Sequence, residues 1–319
     1  MKDLLSVKGL RTDFLTKKGI IVAVDGVDFA VKKGEIVGIV GESGCGKSVT
    51  SLSILRLLPE NGRIAGGSVE FNGTDLSDLS EKDMCGIRGN KIAMIFQDPL
   101  TSLNPTMSIG DQMMEPFTVH RGFSKKQAQA AALDMLERVS IASPERRMKE
   151  YPHNLSGGMR QRVMIAMALS CSPALLIADE PTTALDVSIQ AQILELISEL
   201  REEMNTAVLL ITHDMGVIAG MADNVLVMYA GKGVEYASAE NIFNSPRHPY
   251  TEGLLKSIPR MDKNVDTLPI IEGTVPNQYE MPRGCRFHTR CSFKMERCVS
   301  EEPGNYTVNG AIVSCFKYI

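Results

Sequence analysis

The segment that most constrains this chain is Gly41–Ser48, which reads GESGCGKS. It follows the apolar run 34–40, which predicts a buried strand, and it opens the periodic stretch 48–58, which predicts a helix. The three glycines allow a tight turn with inward-pointing N–H groups, and the helix N-terminus adds partial positive charge there. A strand, a glycine-rich turn and a helix in this order predict a phosphate-binding loop.

Such a loop predicts roles for its own residues and for a carboxylate pair further along. Lys47 is placed to neutralise the β- and γ-phosphates of a nucleotide, and Ser48 to ligate the bridging Mg²⁺. Asp179, at the end of the apolar run 174–178, is expected to hold the metal, and Glu180 is the candidate general base. The alternative for this pair is a solvated strand end. The loop residues expected to contact the nucleotide are Gly41, Ser43, Gly44, Cys45, Gly46, Lys47, Ser48 and Val49.

Four further motifs follow in a fixed order: Ile-Phe-Gln97-Asp-Pro, Leu155-Ser-Gly-Gly158, Thr183-Ala-Leu-Asp186 and Ile-Thr-His213-Asp. The series resembles the ATPase subunits of ABC transporters, where these motifs are the Q-loop, the signature, the D-loop and the switch histidine. The resemblance covers nearly the whole chain. It implies ATP hydrolysis with Glu180, His213 and Gln97 as catalytic residues, and Gln97 also near the Mg²⁺.

The resemblance also implies a partner for the ATP site. Two ATPase subunits of this family meet head to tail, so that Ser156, Gly157 and Gly158 contact ATP on the partner's phosphate loop, and Asp186 belongs to the same nucleotide-binding set. A Ser hydroxyl, two glycines and a helix N-terminus form a second anion site, which agrees with this role. An ordinary helix N-cap is the alternative for Ser156. Met159 departs from the family, which usually has Gln there.

The residue that stacks on adenine is less evident from the sequence. Phe14 is the nearest aromatic candidate, 27 residues before Gly41. A core residue of a strand is an equally good interpretation of Phe14.

The pattern along the chain predicts an α/β protein with several parts. Short apolar strands and Gly/Lys turns alternate up to about residue 95, helical periodicity follows, and strand–helix alternation resumes from 166 to about 235. We expect an ABC-type ATPase domain over 1–240, with an antiparallel β subdomain and an inserted helical subdomain at about 98–165. In the resembled family, that helical part receives a coupling helix from the membrane subunit. A small Cys-rich extension is expected over 241–319.

Composition excludes some classes of partner and location. With 34 Lys+Arg against 38 Asp+Glu and no evident basic face, nucleic acid is not the expected partner. No apolar stretch reaches the roughly 20 residues of a membrane-spanning helix. The N-terminus has no signal-peptide core, which argues against export. We therefore expect a peripheral protein on the cytoplasmic face of the cell membrane.

The C-terminal tail resembles one subgroup of these ATPase subunits. The segments 247–255, 273–277 and 284–291 resemble the C-terminal extension of ATPase subunits of bacterial dipeptide, oligopeptide and nickel importers. This implies a second homologous ATPase, two transmembrane permease subunits and, indirectly, an external peptide-binding protein. One alternative is an ABC ATPase of DNA repair or chromosome organisation, but only 58 residues lie between Gln97 and Ser156, too few for long coiled coils. Another is a redox-responsive ATP-binding regulator outside transport.

Four of the seven cysteines, Cys285, Cys291, Cys298 and Cys315, lie within 31 residues of the tail. A reducing cytosol disfavours disulfides, so the clustering predicts a metal centre, with four unrelated thiols as the alternative. The spacing lacks the CxxC pairs usual for structural zinc. Some members of the resembled family carry a [4Fe–4S] centre in this tail, which four thiolates suit. We expect a structural [4Fe–4S] cluster, with Zn²⁺ as the alternative.

Overall fold

The computed structural model describes residues 2–183, 185–258 and 270–319. Its internal contacts divide the chain into two units. Unit 1 comprises Met1–Val31, Ile36–Ser77 and Ile211–Ile319, and unit 2 comprises Lys32–Glu35 and Asp78–Leu210.

Strands and helices alternate through much of the chain, as the sequence predicts for an α/β protein. The strands are β1 (Leu5–Thr16), β2 (Gly19–Val31), β3 (Ile36–Val40), β4 (Gly62–Phe71), β5 (Thr74–Asp75), β6 (Ile92–Ile95), β7 (Leu175–Asp179), β8 (Ala207–Ile211), β9 (Asn224–Tyr229), β10 (Lys232–Ser238), β11 (Tyr306–Val308) and β12 (Ala311–Val313). The helices are α1 (Lys47–Ile54), α2 (Glu81–Ile87), α3 (Pro99–Ser102), α4 (Ile109–Arg121), α5 (Lys125–Arg138), α6 (Pro144–Arg147), α7 (Gly157–Leu169), α8 (Val187–Met204), α9 (Met215–Met221), α10 (Ala239–Asn244), α11 (Pro249–Lys256) and α12 (Arg297–Ser300).

Unit 1 contains an antiparallel sheet in the order β2-β1-β4-β5. A tight turn joins β1 to β2, since Thr16 pairs directly with Gly19. Buried and exposed residues alternate irregularly along β1 because the pairing is interrupted by bulges. The predicted antiparallel β subdomain is therefore present.

A second sheet in unit 1 runs in the order β11-β12-β10-β9-β3. Every residue of β3 is buried, and β3 pairs in parallel with β9, which explains its continuous apolar sequence. Its two ends are fixed by hydrogen bonds. The carboxylate of Asp223 accepts the N–H of Ile36 at 2.8 Å, and the N–H of Thr212 donates to the Ile39 carbonyl at 3.2 Å. These bonds position the C-terminal end of β3, where the glycine-rich loop begins.

Unit 2 combines parallel strands with the predicted helical segment. β6 and β7 pair in parallel, and Ala207 at the start of β8 donates its N–H to the Ala174 carbonyl at 2.9 Å. Helices α4, α5 and α7 pack together. Pro99 is the first residue of α3, as expected for a proline, whereas Pro116 lies inside α4. Among the described residues, no helix is long and apolar enough to cross a bilayer.

The C-terminal extension packs within unit 1. β12 pairs with the outer side of β10, so the extension adds strands to the second sheet. The buried carboxylate of Glu235 accepts the N–H groups of Arg247 and His248 at 2.8 and 2.9 Å, just before α11. Four rings, those of Tyr229, His248, Tyr250 and Phe287, form an aromatic cluster under α11. The extension therefore packs into the core of unit 1, since Tyr229 of β9 is part of the same aromatic cluster.

His248 provides a pH test of this core. Its side chain accepts the Tyr250 N–H at 3.1 Å as the N-cap of α11, and burial lowers its pKa to about 3. Below pH 6.5 the unfolded state binds a proton that the folded state excludes, so lowering the pH destabilises the fold. Asn at position 248 keeps the acceptor without titrating.

We expect the wild type to lose about 1.4 kcal/mol more of its free energy of unfolding than His248→Asn between pH 7.5 and 5.5. Urea unfolding followed by circular dichroism at the two pH values measures the difference. Burial raises the pKa of Glu235, but this carboxyl is present in both proteins. Equal losses in the two proteins would contradict the assignment of a buried neutral imidazole.

Candidate functional site

The glycine-rich loop joins β3 to α1, and its glycines are required by close contacts. Gly46, the N-cap of α1, has a φ of +103°, and a Cβ there would lie 2.6 Å from the Ala23 carbonyl oxygen. At Gly41 the φ is +153°, and a Cβ would lie 2.2 Å from the Met228 carbonyl oxygen. No side chain fits at these distances, and positive φ also disfavours other residues. The loop is thus held tightly against β2 and β9.

Lys47 is buried at the first position of α1. Its ammonium donates to the Gly41 carbonyl at 2.8 Å and to the Glu42 carbonyl at 3.2 Å, so the side chain curls back over the loop. Ser48 follows in the first turn of α1. A helix N-terminus with an adjacent ammonium is an anion-binding arrangement, which agrees with the predicted phosphate contacts.

The other loop residues differ in exposure. Ser43 and Gly44 are exposed, whereas Cys45 is buried, and burial raises the pKa of its thiol. Val49 is half-buried on α1. Ser43 and Gly44 therefore face solvent, whereas Cys45 packs inside unit 1.

His213 and Phe14 are the remaining predicted site residues of unit 1. His213 is exposed, and it directly follows Thr212, whose N–H is bonded to Ile39 of β3. This places His213 near the strand end from which the loop starts. Phe14 is half-buried on β1 opposite Gly62, where a Cβ would lie 2.8 Å from its ring. Phe14 therefore packs on the sheet, in line with the core interpretation.

In unit 2, Asp179 is the last residue of β7 and Glu180 directly follows the strand. Asp179 is 4% exposed, and Glu180 has a φ of +46°, unusual for a residue with a side chain. The Glu180 carboxylate accepts the Gln97 side-chain amide at 3.0 Å and the Thr183 hydroxyl at 2.9 Å. The structure thus brings Gln97 and Glu180 together, a contact that the motif spacing alone did not predict. Strained backbone of this kind concentrates at functional sites.

The signature residues start α7. Ser156 is its N-cap, and its hydroxyl accepts the Met159 N–H at 3.3 Å, so the capping interpretation is confirmed as part of its role. Gly158 has a packing reason as well, since a Cβ there would lie 3.2 Å from the Ile189 side chain of α8. Gly157 is exposed at the same helix end. Asp186 is exposed at the N-cap of α8, and the neighbouring Ala184 lies outside the described residues.

Sequence reasoning missed several residues around the glycine-rich loop. The Tyr250 hydroxyl accepts the Glu42 N–H at 2.9 Å, and the Arg290 guanidinium pairs with the Glu42 carboxylate at 2.6 Å. The Gln278 amide donates to the Gly44 carbonyl at 3.4 Å. These partners lie more than 200 residues away along the chain, so no local pattern pointed to them.

The four tail cysteines share one region, but the metal prediction is not supported by their arrangement. Burial raises the pKa of Cys285 to about 11 and also raises the pKa values of Cys291 and Cys315, with further increases from neighbouring cysteines. Within the described ranges, no three His, Cys, Asp or Glu side chains are grouped so that they could hold a metal ion.

The sequence matches two protein families. Residues 24–183 match the family described as ABC transporter, and residues 234–298 match the oligopeptide/dipeptide transporter C-terminal region. The two matches cover the glycine-rich loop, the signature and most of the aromatic cluster in the extension.

Curated relatives match over nearly full length. The oligopeptide transport ATP-binding protein AppD of Bacillus subtilis (strain 168) is 53% identical, with 100% of this chain and 98% of AppD covered. The dipeptide transport ATP-binding protein DppD of the same organism is 52% identical, covering 97% and 94%. The oligopeptide transport ATP-binding protein OppD of Escherichia coli (strain K12) is 51% identical, covering 98% and 93%.

Solved structures agree in fold. The ATP-binding cassette MJ0796, in a dimeric post-hydrolysis state with ADP and Pi, matches with a TM-score of 0.66 at 29% identity, covering 74% of this chain and 98% of that one. The cbiO1 protein of Clostridium perfringens matches with a TM-score of 0.65 at 26% identity, covering 77% and 92%.

The fold and the matches define an ATP-binding cassette ATPase. This chain belongs to the ABC transporter family, and its tail is of the oligopeptide/dipeptide transporter type. The resemblance seen in the motifs, the predicted fold class and the ATPase activity are thereby confirmed.

Two loop glycines allow a matched test of the site geometry. Gly46→Ala forces a Cβ into the Ala23 carbonyl, whereas at Gly44, with a φ of +77°, a Cβ meets nothing within 4 Å. We expect Gly46→Ala to lower the free energy of unfolding by more than about 2 kcal/mol, and Gly44→Ala by about 1 kcal/mol from backbone strain alone. Thermal unfolding measures both. Equal losses would show that the contact with Ala23 does not constrain the loop.

Proposed function

We propose that this chain is the ATP-hydrolysing subunit that powers uptake of di- or oligopeptides through an ABC importer. The observation that carries the proposal is the joint occurrence, in one chain, of the cassette motifs and the peptide-transporter tail. Relatives above 50% identity that are named for oligopeptide or dipeptide transport support it over nearly the full length. The alternatives, a DNA-repair ATPase and a regulator outside transport, have no support among these matches.

In this proposal ATP binds at Gly41–Ser48. The backbone N–H groups of the loop and the N-terminus of α1 would hold the phosphates, and the Lys47 ammonium, which contacts the Gly41 and Glu42 carbonyls, would neutralise their charge. The Ser48 hydroxyl and the Asp179 carboxylate are oxygen ligands of the kind that Mg²⁺ prefers. Mg²⁺ bound there would screen the phosphate charge. Stacking of Phe14 on adenine stays a prediction.

Hydrolysis needs a base and a group that senses the γ-phosphate. Glu180 is the proposed base, because a carboxylate directly after Asp179 can orient water towards the γ-phosphate. The Gln97 amide and the Thr183 hydroxyl both donate to this carboxylate and fix its direction. His213 is proposed to hydrogen-bond the γ-phosphate. We also retain the proposal that Gln97 relays nucleotide binding to the helical segment 98–165.

The position of the signature supports a proposal for the assembly. Ser156, Gly157, Gly158 and Asp186 lie at the N-terminal ends of α7 and α8, and helix N-termini favour the binding of anions. We propose that they close over ATP bound to a second, homologous ATPase subunit in a head-to-tail dimer. Two transmembrane permease subunits would receive the motion through the segment 98–165, and an external peptide-binding protein would deliver substrate. The chain would act at the cytoplasmic face of the membrane.

Glu180→Gln tests the proposed base. The substitution keeps the shape of the side chain and removes its charge, so ATP binding should persist while turnover falls by at least about a hundredfold. Steady-state ATPase rates of the assembled transporter and equilibrium ATP binding by the chain measure the two effects. Glu195→Gln, on the exposed face of α8, is the matched control and should leave both unchanged. Retention of most activity by Glu180→Gln in both sites would exclude Glu180 as the base.

We further propose that the four tail cysteines hold a [4Fe–4S] cluster that fastens the extension, with Zn²⁺ as the alternative. The support is their shared surroundings, because the pKa of Cys285 is raised in part by each of the other three thiols. A tetrahedral zinc site needs its thiolates within about 4 Å of one another. A cluster binds each thiolate at a different iron, so the ligands can lie further apart.

Metal analysis tests this second proposal. Protein purified without oxygen should be brown and contain about four irons per chain, and Cys291→Ser should lose most of them. Cys85→Ser, at an exposed position on α2, should keep its iron. One zinc and no iron per chain would show that the cysteines hold Zn²⁺ and not a cluster. A metal-free preparation whose extension is still folded would reject both the cluster and the zinc site.

A further inference from the structure

Glu42 is the one acidic residue of the loop Gly41–Ser48, and its charge and backbone are both engaged by the C-terminal extension. Its N–H donates to the Tyr250 hydroxyl at 2.9 Å. Its two carboxylate oxygens accept from the two terminal nitrogens of Arg290 at 2.6 and 3.0 Å. This bidentate geometry fixes both the position and the orientation of the carboxylate.

The Arg290 side chain is itself held on every side. It is 4% exposed, against 28% for the Glu42 side chain. Its remaining donors reach the carbonyls of Ile271 and Glu272 at 3.2 and 3.1 Å and the Tyr229 hydroxyl at 3.4 Å. Because the guanidinium is buried and fully bonded, moving Glu42 away would leave a buried charge without its counter-ion.

The segment that carries Arg290 is fixed at its other end as well. Arg286 pairs with Asp25 and donates to the Ala230 carbonyl. The Phe287 ring between the two arginines packs into the aromatic cluster, 5.1 Å from Tyr229 and 5.4 Å from Tyr250. The segment 285–291 is therefore a rigid bracket whose end contacts the loop.

We propose that this bracket sets the affinity of the chain for ATP, with Arg290 as a positioning residue that holds the loop backbone through Glu42. The inference rests on the proposed role of Gly41–Ser48 as the ATP site. Glu42 directly follows Gly41, and its carbonyl is one of the two that the Lys47 ammonium contacts. Holding Glu42 therefore holds the backbone that cradles the phosphates and the carbonyl against which Lys47 is placed. The extension acts on ATP binding without touching the nucleotide.

A loop that is positioned in advance improves binding of substrate and transition state alike. Loss of the bracket should therefore raise KM for ATP and leave kcat nearly unchanged. The coupling is reciprocal. If the bracket favours nucleotide binding, bound nucleotide must stabilise the bracket. Amides in 285–291 should exchange hydrogen more slowly when nucleotide is bound, although they lie outside the phosphate loop.

The kinetic test uses Arg290→Gln in the assembled transporter. We expect KM for ATP to rise on the order of tenfold with kcat within about twofold of the wild type. Arg297→Gln, which removes an arginine of the same extension that pairs with Glu301 at 3.1 Å on α12, is the matched control and should leave KM unchanged. A KM for Arg290→Gln within twofold of the wild type would overturn the proposal.

A double-mutant cycle separates positioning from a general loss of structure. If Arg290 acts only through Glu42, the double variant Glu42→Gln with Arg290→Gln should raise KM no more than the larger of the single substitutions. Multiplying effects would mean that Arg290 acts by another route. Should Arg290→Gln fail to fold, Arg290→Lys keeps the charge with fewer bonds and should give an intermediate KM. A wild-type KM in that variant would also count against the proposal.

Hydrogen exchange and Lys47→Ala complete the test. A non-hydrolysable ATP analogue should slow exchange in 285–291 of the wild type and not in Arg290→Gln; an absence of slowing in the wild type overturns the coupling. Lys47→Ala should lose nucleotide binding altogether. If it binds nucleotide normally, the proposed ATP site is wrong. If it does not bind and Arg290→Gln behaves as wild type, the bracket alone is wrong.

Discussion

The tight contact between the glycine-rich loop and two backbone carbonyls is the constraint on which the rest of unit 1 depends. The carbonyls of Ala23 and Met228 lie so close to Gly46 and Gly41 that the loop can take only one path. The two carbonyls come from different sheets: β9 is held beside β3 by parallel pairing, and β2 is held by its antiparallel pairing with β1. The site is thus built from backbone held by sheets, which is more exact than a surface loop could be.

The carboxylate after β7 is held in a different way. Glu180 sits at a φ of +46°, and two hydrogen bonds, from Gln97 and Thr183, hold its side chain. Side-chain bonds can be exchanged more easily than sheet pairings, because each has an alternative partner in water or ligand. The two parts of the candidate site therefore differ in kind, since close backbone contacts fix the glycine-rich loop, whereas side-chain hydrogen bonds hold Glu180.

Local patterns were enough to predict the α/β fold, the loop between β3 and α1 and the helical segment, because each depends on periodicity within about 15 residues. β11 and β12 were not predicted, since three-residue strands carry no readable period. The pairing of Glu42 with Arg290 joins residues 248 positions apart, and its charges look like ordinary surface charges in the sequence. The clustering of cysteines predicted a metal centre, but spacing in the sequence does not fix how thiols are arranged in space, and the described residues show no group that could hold a metal ion. Phe14 was ambiguous because a strand aromatic and a stacking aromatic have the same local pattern.

The short strands of the extension also affect whether the edge of this sheet can pair with another chain. β10 is seven residues long, and β12 pairs with it at Glu235 and Tyr236, so the middle of its outer edge is not available to another chain. The sheet instead ends at β11, whose three residues offer a very short row of unpaired N–H and C=O groups. Because long exposed edges template strand addition, covering the middle of β10 and ending the sheet on a three-residue strand should disfavour edge-to-edge pairing of the ATPase sheet.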